Sequence, residues 1–259
     1  MQNLRKKNNL RRTCIILVLL FMVTLILILV FGHYGSINQR REGKRIIKVG
    51  IIDGVSTDHI KFKIKKRSYI SNTQEVDNHA NVVWSVLTDG LEYKNIQCFE
   101  YSVITSDGVI DKRNLIKALD KAKSDHLNII NFSGGFYMDD LEIEQKVNGL
   151  VKSGVIFIAA AGNTPQGIAD FPARMNNVIS VGSKNSKGIS NFSPIKKVDI
   201  FGKGEEVRYH GEIYKGTSFA APYIANKIIA YSLNQDVCIR EAKKEIVDFA
   251  NQQGKGKKD

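Results

Sequence analysis

Three cysteines and four prolines in 259 residues leave little room for two common ways of building a small protein. Cys14, Cys98 and Cys238 are too few for a disulfide framework and show no metal-ligand spacing, so cystine modules and zinc ribbons are excluded. Scarce proline, with 21 glycines, excludes collagen-like and other fibrous repeats, and no internal repeat is present. Acidic residues are in the minority: 26 Asp and Glu against 38 Lys and Arg, for a net charge of +12. At 43% apolar residues the chain is too hydrophobic for disorder and long enough to bury a sizeable core.

The excess charge is clustered. It sits at Arg5, Lys6, Lys7, Arg11 and Arg12, at Arg40, Arg41, Lys44, Arg45 and Lys48, at Lys61, Lys63, Lys65, Lys66 and Arg67, and in the Gly/Lys tail. A nucleic-acid-binding face spreads its cations over a folded surface with aromatics between them. Here they flank an apolar run, crowd one short surface stretch and end a tail, so no nucleic-acid partner is expected.

That apolar run extends from Cys14 to Phe31 and is interrupted only by Thr24. At about 1.5 Å per residue, the uncharged stretch from Thr13 to Gly32 covers the ~30 Å hydrocarbon core of a bilayer. Cations crowd its N-terminal side, which places the N-terminus in the cytoplasm and the remainder outside. A cleaved secretory signal is the alternative, but the run is long and residues 31–36 match a small-x-small cleavage site poorly. The expected organisation is a cytoplasmic basic segment (1–12), a transmembrane signal anchor (13–34), a linker (35–45), one folded domain (46–252) and a tail (253–259).

The domain reads as alternating strands and helices. Runs at 45–53, 97–104, 127–132, 154–160 and 177–182 have the β-branched, apolar character of buried parallel strands. Residues 112–124 and 138–152 carry helical periodicity between them. A hairpin is expected at 206–214 with Gly211 near its turn, then helices from Gly216 to about Ser232 and over about 238–250. The pattern predicts an α/β fold: a doubly wound, mostly parallel sheet with helices on both faces, preceded by one transmembrane helix. Cys98 and Cys238 are expected to be free core thiols.

In such sheets, reactive groups gather beyond the carboxyl ends of the strands. Asp53 closes the first strand, and His79 precedes an apolar helical run, Val82 to Leu87. Asn163 follows Ile156 to Gly162, and Ser218 opens a helix behind Gly216 and Thr217. Each has an ordinary alternative in isolation. Asp53 and Ser218 could be caps, Asn163 a turn residue, and His79 is one of five histidines.

Together, the segments resemble the subtilisin-like serine peptidases. The likeness rests on Val49-Gly50-Ile51-Ile52-Asp53, Asn78-His79 with Val82-Val83, Ile129 to Gly135, Gly154 to Asn163, Phe171-Pro172-Ala173 with Asn177 to Gly182, and Gly216-Thr217-Ser218-Phe219-Ala220-Ala221-Pro222. It runs from about residue 46 to 232, in the chain order Asp, His, Asn, Ser. The resemblance implies a subtilisin-like fold and serine endopeptidase activity. Ser218 would attack, His79 would take and later return the proton, and Asp53 would hold the imidazole. Asn163 would donate to the oxyanion together with the Ser218 N–H.

The resemblance also implies a peptide or protein substrate that adds as a strand beside Ser133-Gly134-Gly135, opposite a wall of Ala159-Ala160-Ala161-Gly162. Asp170 aligns near the floor of the primary specificity pocket. A carboxylate there favours Lys or Arg on the acyl side of the cut; a rim residue facing water is the alternative. No cofactor or metal is expected, and no acidic cluster reads as a calcium loop. The short stretch between Phe31 and Ile46 leads to the expectation of folding without a built-in propeptide.

Two departures from the family pattern stand out. Gly54 directly follows Asp53, where the family has Ser/Thr-Gly, and Ala80-Asn81 follow His79, where it has Gly-Thr or Gly-Ser. They keep a second reading open: a catalytically silent domain that serves as a membrane-anchored binding or regulatory protein.

Overall fold

The computed structural model describes residues 22–24, 46–57, 62–71 and 77–253. The chain divides into two compact units, Met1–Arg45 and Ile46–Asp259. Of the first, only Met22–Thr24 are described; they are helical and exposed. The rest of the expected anchor at 13–34, the basic segment before it and the linker after it lie outside the described residues. Among the described residues, no helix is long and apolar enough to cross a membrane.

The second unit is built on a sheet of eight strands. Six of them, β1 (Ile47–Asp53), β2 (Ile64–Tyr69), β3 (Ile96–Ser102), β4 (Ile129–Phe132), β5 (Ile156–Ala160) and β6 (Ile179–Asn185), run in the order β2-β3-β1-β4-β5-β6. Two short strands flank β6: antiparallel β7 (Gly188–Ile189) and parallel β8 (Ile200–Lys203). Every pairing within this sheet but β6–β7 is parallel. A separate hairpin joins β9 (Val207–Tyr209) to β10 (Glu212–Tyr214). Its turn residues His210 and Gly211 both have positive φ (47° and 86°), the twist that a two-residue hairpin loop requires.

Five helices cover the sheet: α1 (Asn78–Thr88), α2 (Lys112–Ser124), α3 (Leu141–Lys152), α4 (Thr217–Asn234) and α5 (Ile239–Gln253). Side chains alternate across each strand, so the two faces bury different partners. Val49 and Ile51 of β1 share a core with Val83 and Trp84 of α1, Ile224 and Ile228 of α4, and Ala242 of α5. Ile52, Ile130 and Phe132 share the other with Leu115 and Leu119 of α2 and Ile143 and Leu150 of α3. The expected α/β architecture, with helices on both faces, is present.

Three local readings need correction. The basic stretch beginning at Lys61 includes an edge strand, β2, whose Lys65 and Lys66 face solvent while Ser68 is buried. Lysines on an edge strand discourage pairing with another chain, which explains why a strand can read as a charge run. Helix α3 starts at Leu141 rather than 138, because the Asp140 carboxylate caps it by accepting the Glu142 and Ile143 N–H groups at 3.1 Å. Cys238 is exposed, just ahead of α5, whereas Cys98 is a free buried thiol whose pKa burial pushes up to about 12.

Strand register sets the site. Asp53 pairs with Ser102, Ile52 with Phe132, and Phe132 with Ala159, so β1, β4 and β5 end together. The residues that follow these ends form one rim.

Candidate active site

Asp53 is buried at the end of β1. Its Oδ1 accepts the Gly54 N–H at 2.7 Å and lies 2.9 Å from His79 Nδ1. Its Oδ2 is buried with no hydrogen-bond partner among the described residues. His79 occupies the second position of α1, where Asp77 is the N-cap and accepts the His79 N–H at 2.8 Å. The imidazole therefore sits beside two carboxylates. Burial opposes its protonation, but Asp53, by charge and hydrogen bond, and Asp77, by charge, outweigh that and raise its pKa to about 9. Burial and the neighbouring Asp53 raise the Asp77 pKa, against the pull of the His79 N–H and ring.

Asp77 was not among the residues singled out in the sequence. An acidic residue just before an apolar helical run is a legible N-cap signal, but its nearness to Asp53 depends on the tertiary fold. Among the described residues, Asp53, Asp77 and His79 bring potential metal-ligand atoms within 4.8 Å of one another. His79 Nδ1 is already engaged by Asp53, so the cluster has the form of a charge-stabilised imidazole rather than an open ligand set.

Both departures have local explanations. A Cβ on Gly54 would lie 2.5 Å from Asp77 Oδ2 and 2.6 Å from Asp77 Cβ, so only glycine lets the second carboxylate approach. Buried Asn81 turns its Oδ1 to the loop after Asp53 and accepts the Thr57 N–H at 2.7 Å and the Thr57 hydroxyl at 3.2 Å. The same loop is held from below by Glu100, which is fully buried. Glu100 accepts from the Ser56 hydroxyl at 2.5 Å, Arg67 Nε at 2.6 Å and Trp84 Nε1 at 2.9 Å. The elements that carry Asp53 and His79 are thus cross-linked by polar contacts as well as by the core.

Ser218 lies in the first turn of α4, behind Gly216, whose φ of 155° is an extreme that glycine accommodates most easily. Asn163 Oδ1 accepts the Thr217 N–H at 3.1 Å, and the Thr217 hydroxyl donates to the Gly162 carbonyl at 2.9 Å. With Oδ1 so engaged, the Asn163 amide has a defined orientation that leaves Nδ2 as its donor. The Ser218 hydroxyl donates to the Ser133 carbonyl at 3.1 Å, and the Ser133 hydroxyl donates back to the Ser218 carbonyl at 2.8 Å. The His79 ring packs against that of Phe219, the next residue along from Ser218, with centroids 5.3 Å apart. Among the described residues, no hydrogen bond joins His79 to the Ser218 hydroxyl.

The remaining expected residues lie on the same rim. A Cβ on Gly135 would lie 2.7 Å from Asp170 Cβ, and one on Gly162 would collide with Asp170 Oδ2. Asp170 therefore fills the space between the Ser133-Gly134-Gly135 segment and the Ala159 to Gly162 wall. Its N–H donates to the Ala161 carbonyl at 2.8 Å. The carboxyl is half-buried, and desolvation raises its pKa against the attraction of Arg174.

This fold and rim define the class: a subtilisin-like serine peptidase domain. The subtilase family model matches residues 44–256, and the chain belongs to that family. Subtilisin DY of Bacillus licheniformis is 28% identical over 202 residues, covering 69% of this chain and 74% of that one. The major intracellular serine protease of Bacillus subtilis (strain 168) is 32% identical over 127 residues, 44% of this chain and 40% of that protein. Among solved structures, a cold-adapted subtilisin-like serine proteinase superposes with a TM-score of 0.64 at 22% identity, covering 74% of this chain and 77% of that one. The patellamide maturation protease PatA gives 0.63 at 21% identity, covering 77% and 84%. The chain thus spans about three quarters of subtilisin DY but well under half of the intracellular protease.

Proposed function

We propose that this chain is a membrane-tethered, extracytoplasmic serine endopeptidase that hydrolyses peptide bonds through an Asp53–His79–Ser218 triad. The single observation that carries the reading is the 2.9 Å contact between His79 Nδ1 and Asp53 Oδ1 on an imidazole packed beside the Ser218 turn. With Nδ1–H donated to Asp53, Nε2 is left as the proton acceptor.

In this mechanism the peptide lies beside Ser133-Gly134-Gly135, and its backbone N–H takes the Ser133 carbonyl. The Ser218 hydroxyl then leaves that carbonyl, which is no base, and turns to His79. Ser218 Oγ attacks the scissile carbonyl carbon as Nε2 takes its proton, and the carbonyl π pair moves onto oxygen. Asn163 Nδ2 and the Ser218 N–H at the start of α4 donate to the resulting oxyanion, where the helix dipole adds positive potential. Collapse of the intermediate breaks the C–N bond, and His79 returns the proton to the leaving amine. Water then repeats the sequence on the acyl-enzyme and releases the acid.

The position of Asp170 between two glycine-lined walls supports a preference for Lys or Arg on the acyl side of the cut. The tether rests on the apolar run at 14–31 with its cationic N-terminal flank. Such a placement suits peptide or protein substrates near the membrane. A silent binding domain is the second reading, and the observation that favours it is the Ser218 hydroxyl bonded to Ser133 rather than to His79. A fluorophosphonate label on the folded chain, with Ser218→Ala as control, separates the two. Labelling of wild type alone supports the peptidase, and no labelling of either protein supports the silent domain.

A further inference from the structure

We infer that Asn131 and Ser133 are positioning residues that hold the nucleophile-bearing turn in place of a backbone hydrogen bond that Pro222 removes. The inference rests on the peptidase reading of Ser218. In a regular helix the carbonyl of Ser218 accepts the N–H of the residue four positions on. That residue is Pro222, inside α4, which has no N–H and whose ring crowds the carbonyl four positions back. The Ser218 carbonyl is therefore left without its helical partner.

The vacancy is filled from another element. Ser133 Oγ, just beyond β4, donates to the Ser218 carbonyl at 2.8 Å. Asn131 Nδ2 donates to Ser133 Oγ at 2.9 Å. A serine hydroxyl has one proton, so the Asn131 donation turns that proton toward Ser218. The donations from Asn131 to the Ser133 hydroxyl and from that hydroxyl to the Ser218 carbonyl then run the same way, the arrangement in which neighbouring hydrogen bonds reinforce one another. Asn131 is fully buried on the central strand β4, and its Oδ1 has no hydrogen-bond partner among the described residues. An amide placed there at the cost of an unpaired acceptor calls for a role, and orienting Ser133 supplies one.

The height of Ser218 above the sheet is thus set by β4, a rigid central strand, rather than by α4 alone. Attack on a bound carbonyl tolerates little misplacement, so the chain acts on the rate of attack more than on substrate affinity. The sequence placed Ser133 only as backbone for substrate; its hydroxyl has this separate use.

The test is a double-mutant cycle in the full-length chain, reading the rate of fluorophosphonate labelling at Ser218, kcat and KM on a peptide, and thermal unfolding. Ser133→Ala should slow labelling and kcat roughly tenfold with a smaller change in KM, and Ser133→Thr, which keeps the hydroxyl, should recover most of that loss. Pro222→Ala restores an N–H opposite the Ser218 carbonyl, so loss of the Ser133 hydroxyl in that background should cost twofold or less. If Ser133→Ala does not fold, the isosteric pair Ser133→Thr and Ser133→Val isolates the hydroxyl. Labelling of Ser133→Ala within twofold of wild type, or an equal loss in both backgrounds, overturns the inference and leaves the peptidase reading intact. A folded wild type that is not labelled overturns both.

Discussion

Asn81 Oδ1 accepts the Thr57 N–H at 2.7 Å and so ties the helix that carries His79 to the loop that leaves Asp53. The family pattern expects a hydroxyl where Asn81 carries a longer amide, and the loop that Asn81 reaches lacks the Ser or Thr expected between the aspartate and the glycine. The two departures are therefore coupled. Replacing Asn81 by Ala leaves a half-buried N–H unpaired and should cost about 1–3 kcal/mol of stability. Urea unfolding measures that loss, and Asn81→Ser should recover little of it, because a serine hydroxyl is too short to span the gap.

His79 carries its charge to about pH 9. A general base must be neutral to act, so kcat/KM should rise with pH along a limb whose midpoint is near 9. Asp77→Asn removes one of the charges that raise that pKa, and the midpoint should fall. Stability runs the other way. The charged pair contributes fully below the imidazole's usual value of 6.5, and its contribution is lost as pH climbs through about 9. A limb at its usual position in wild type, or one that Asp77→Asn leaves unmoved, would remove Asp77 from the account.

Asp170 should decide what is cut. Asp170→Ala is expected to lose most of the preference for Lys and Arg over Leu at the acyl-side position, with cleavage after Leu preserved. Equal cleavage after Leu and Arg by the wild type, unchanged in Asp170→Ala, would sink the assignment. A panel of peptides that differ at that one position reads the result.

Asn163→Leu removes the proposed oxyanion donor while keeping the approximate volume. The loss should fall on kcat, by about 10²–10³, with KM little changed, a magnitude typical of such a donor, for which a subtilisin is the standard example. The Thr217 N–H also loses its acceptor in this variant, so thermal unfolding should be recorded alongside.

The proposed tether makes a prediction of its own. Full-length chain should sediment with membranes and resist carbonate extraction, whereas a chain beginning at residue 39 should be released. Protease added to intact cells should remove the folded domain but spare a tag at the N-terminus. A soluble full-length protein would contradict the anchor.

How much of this could be read from residues alone varied with the range of the interaction that sets each feature. Strands β1 and β3 to β6 are legible because strands buried on both faces need unbroken β-branched and apolar runs. Helices α2 to α4 declare themselves through periodicity, and the hairpin through His210-Gly211. Edge strand β2 does not: with one side in water it can carry Lys65 and Lys66, and its residues read as a solvated charge run.

The sequence alone determined the identity of the chemical groups. Asp53 closes a strand, His79 and Ser218 open helices, and Asn163 follows a strand by three residues, all places that local pattern can locate. Only the tertiary structure decided how those groups are supported. Asp77 beside Asp53, Asn81 on Thr57, Asp170 between two glycine walls and the Ser133 hydroxyl in the gap left by Pro222 are all contacts between elements distant along the chain. Local propensity acts over a few residues, whereas these contacts exist only once strand register and helix packing have closed the distances between segments.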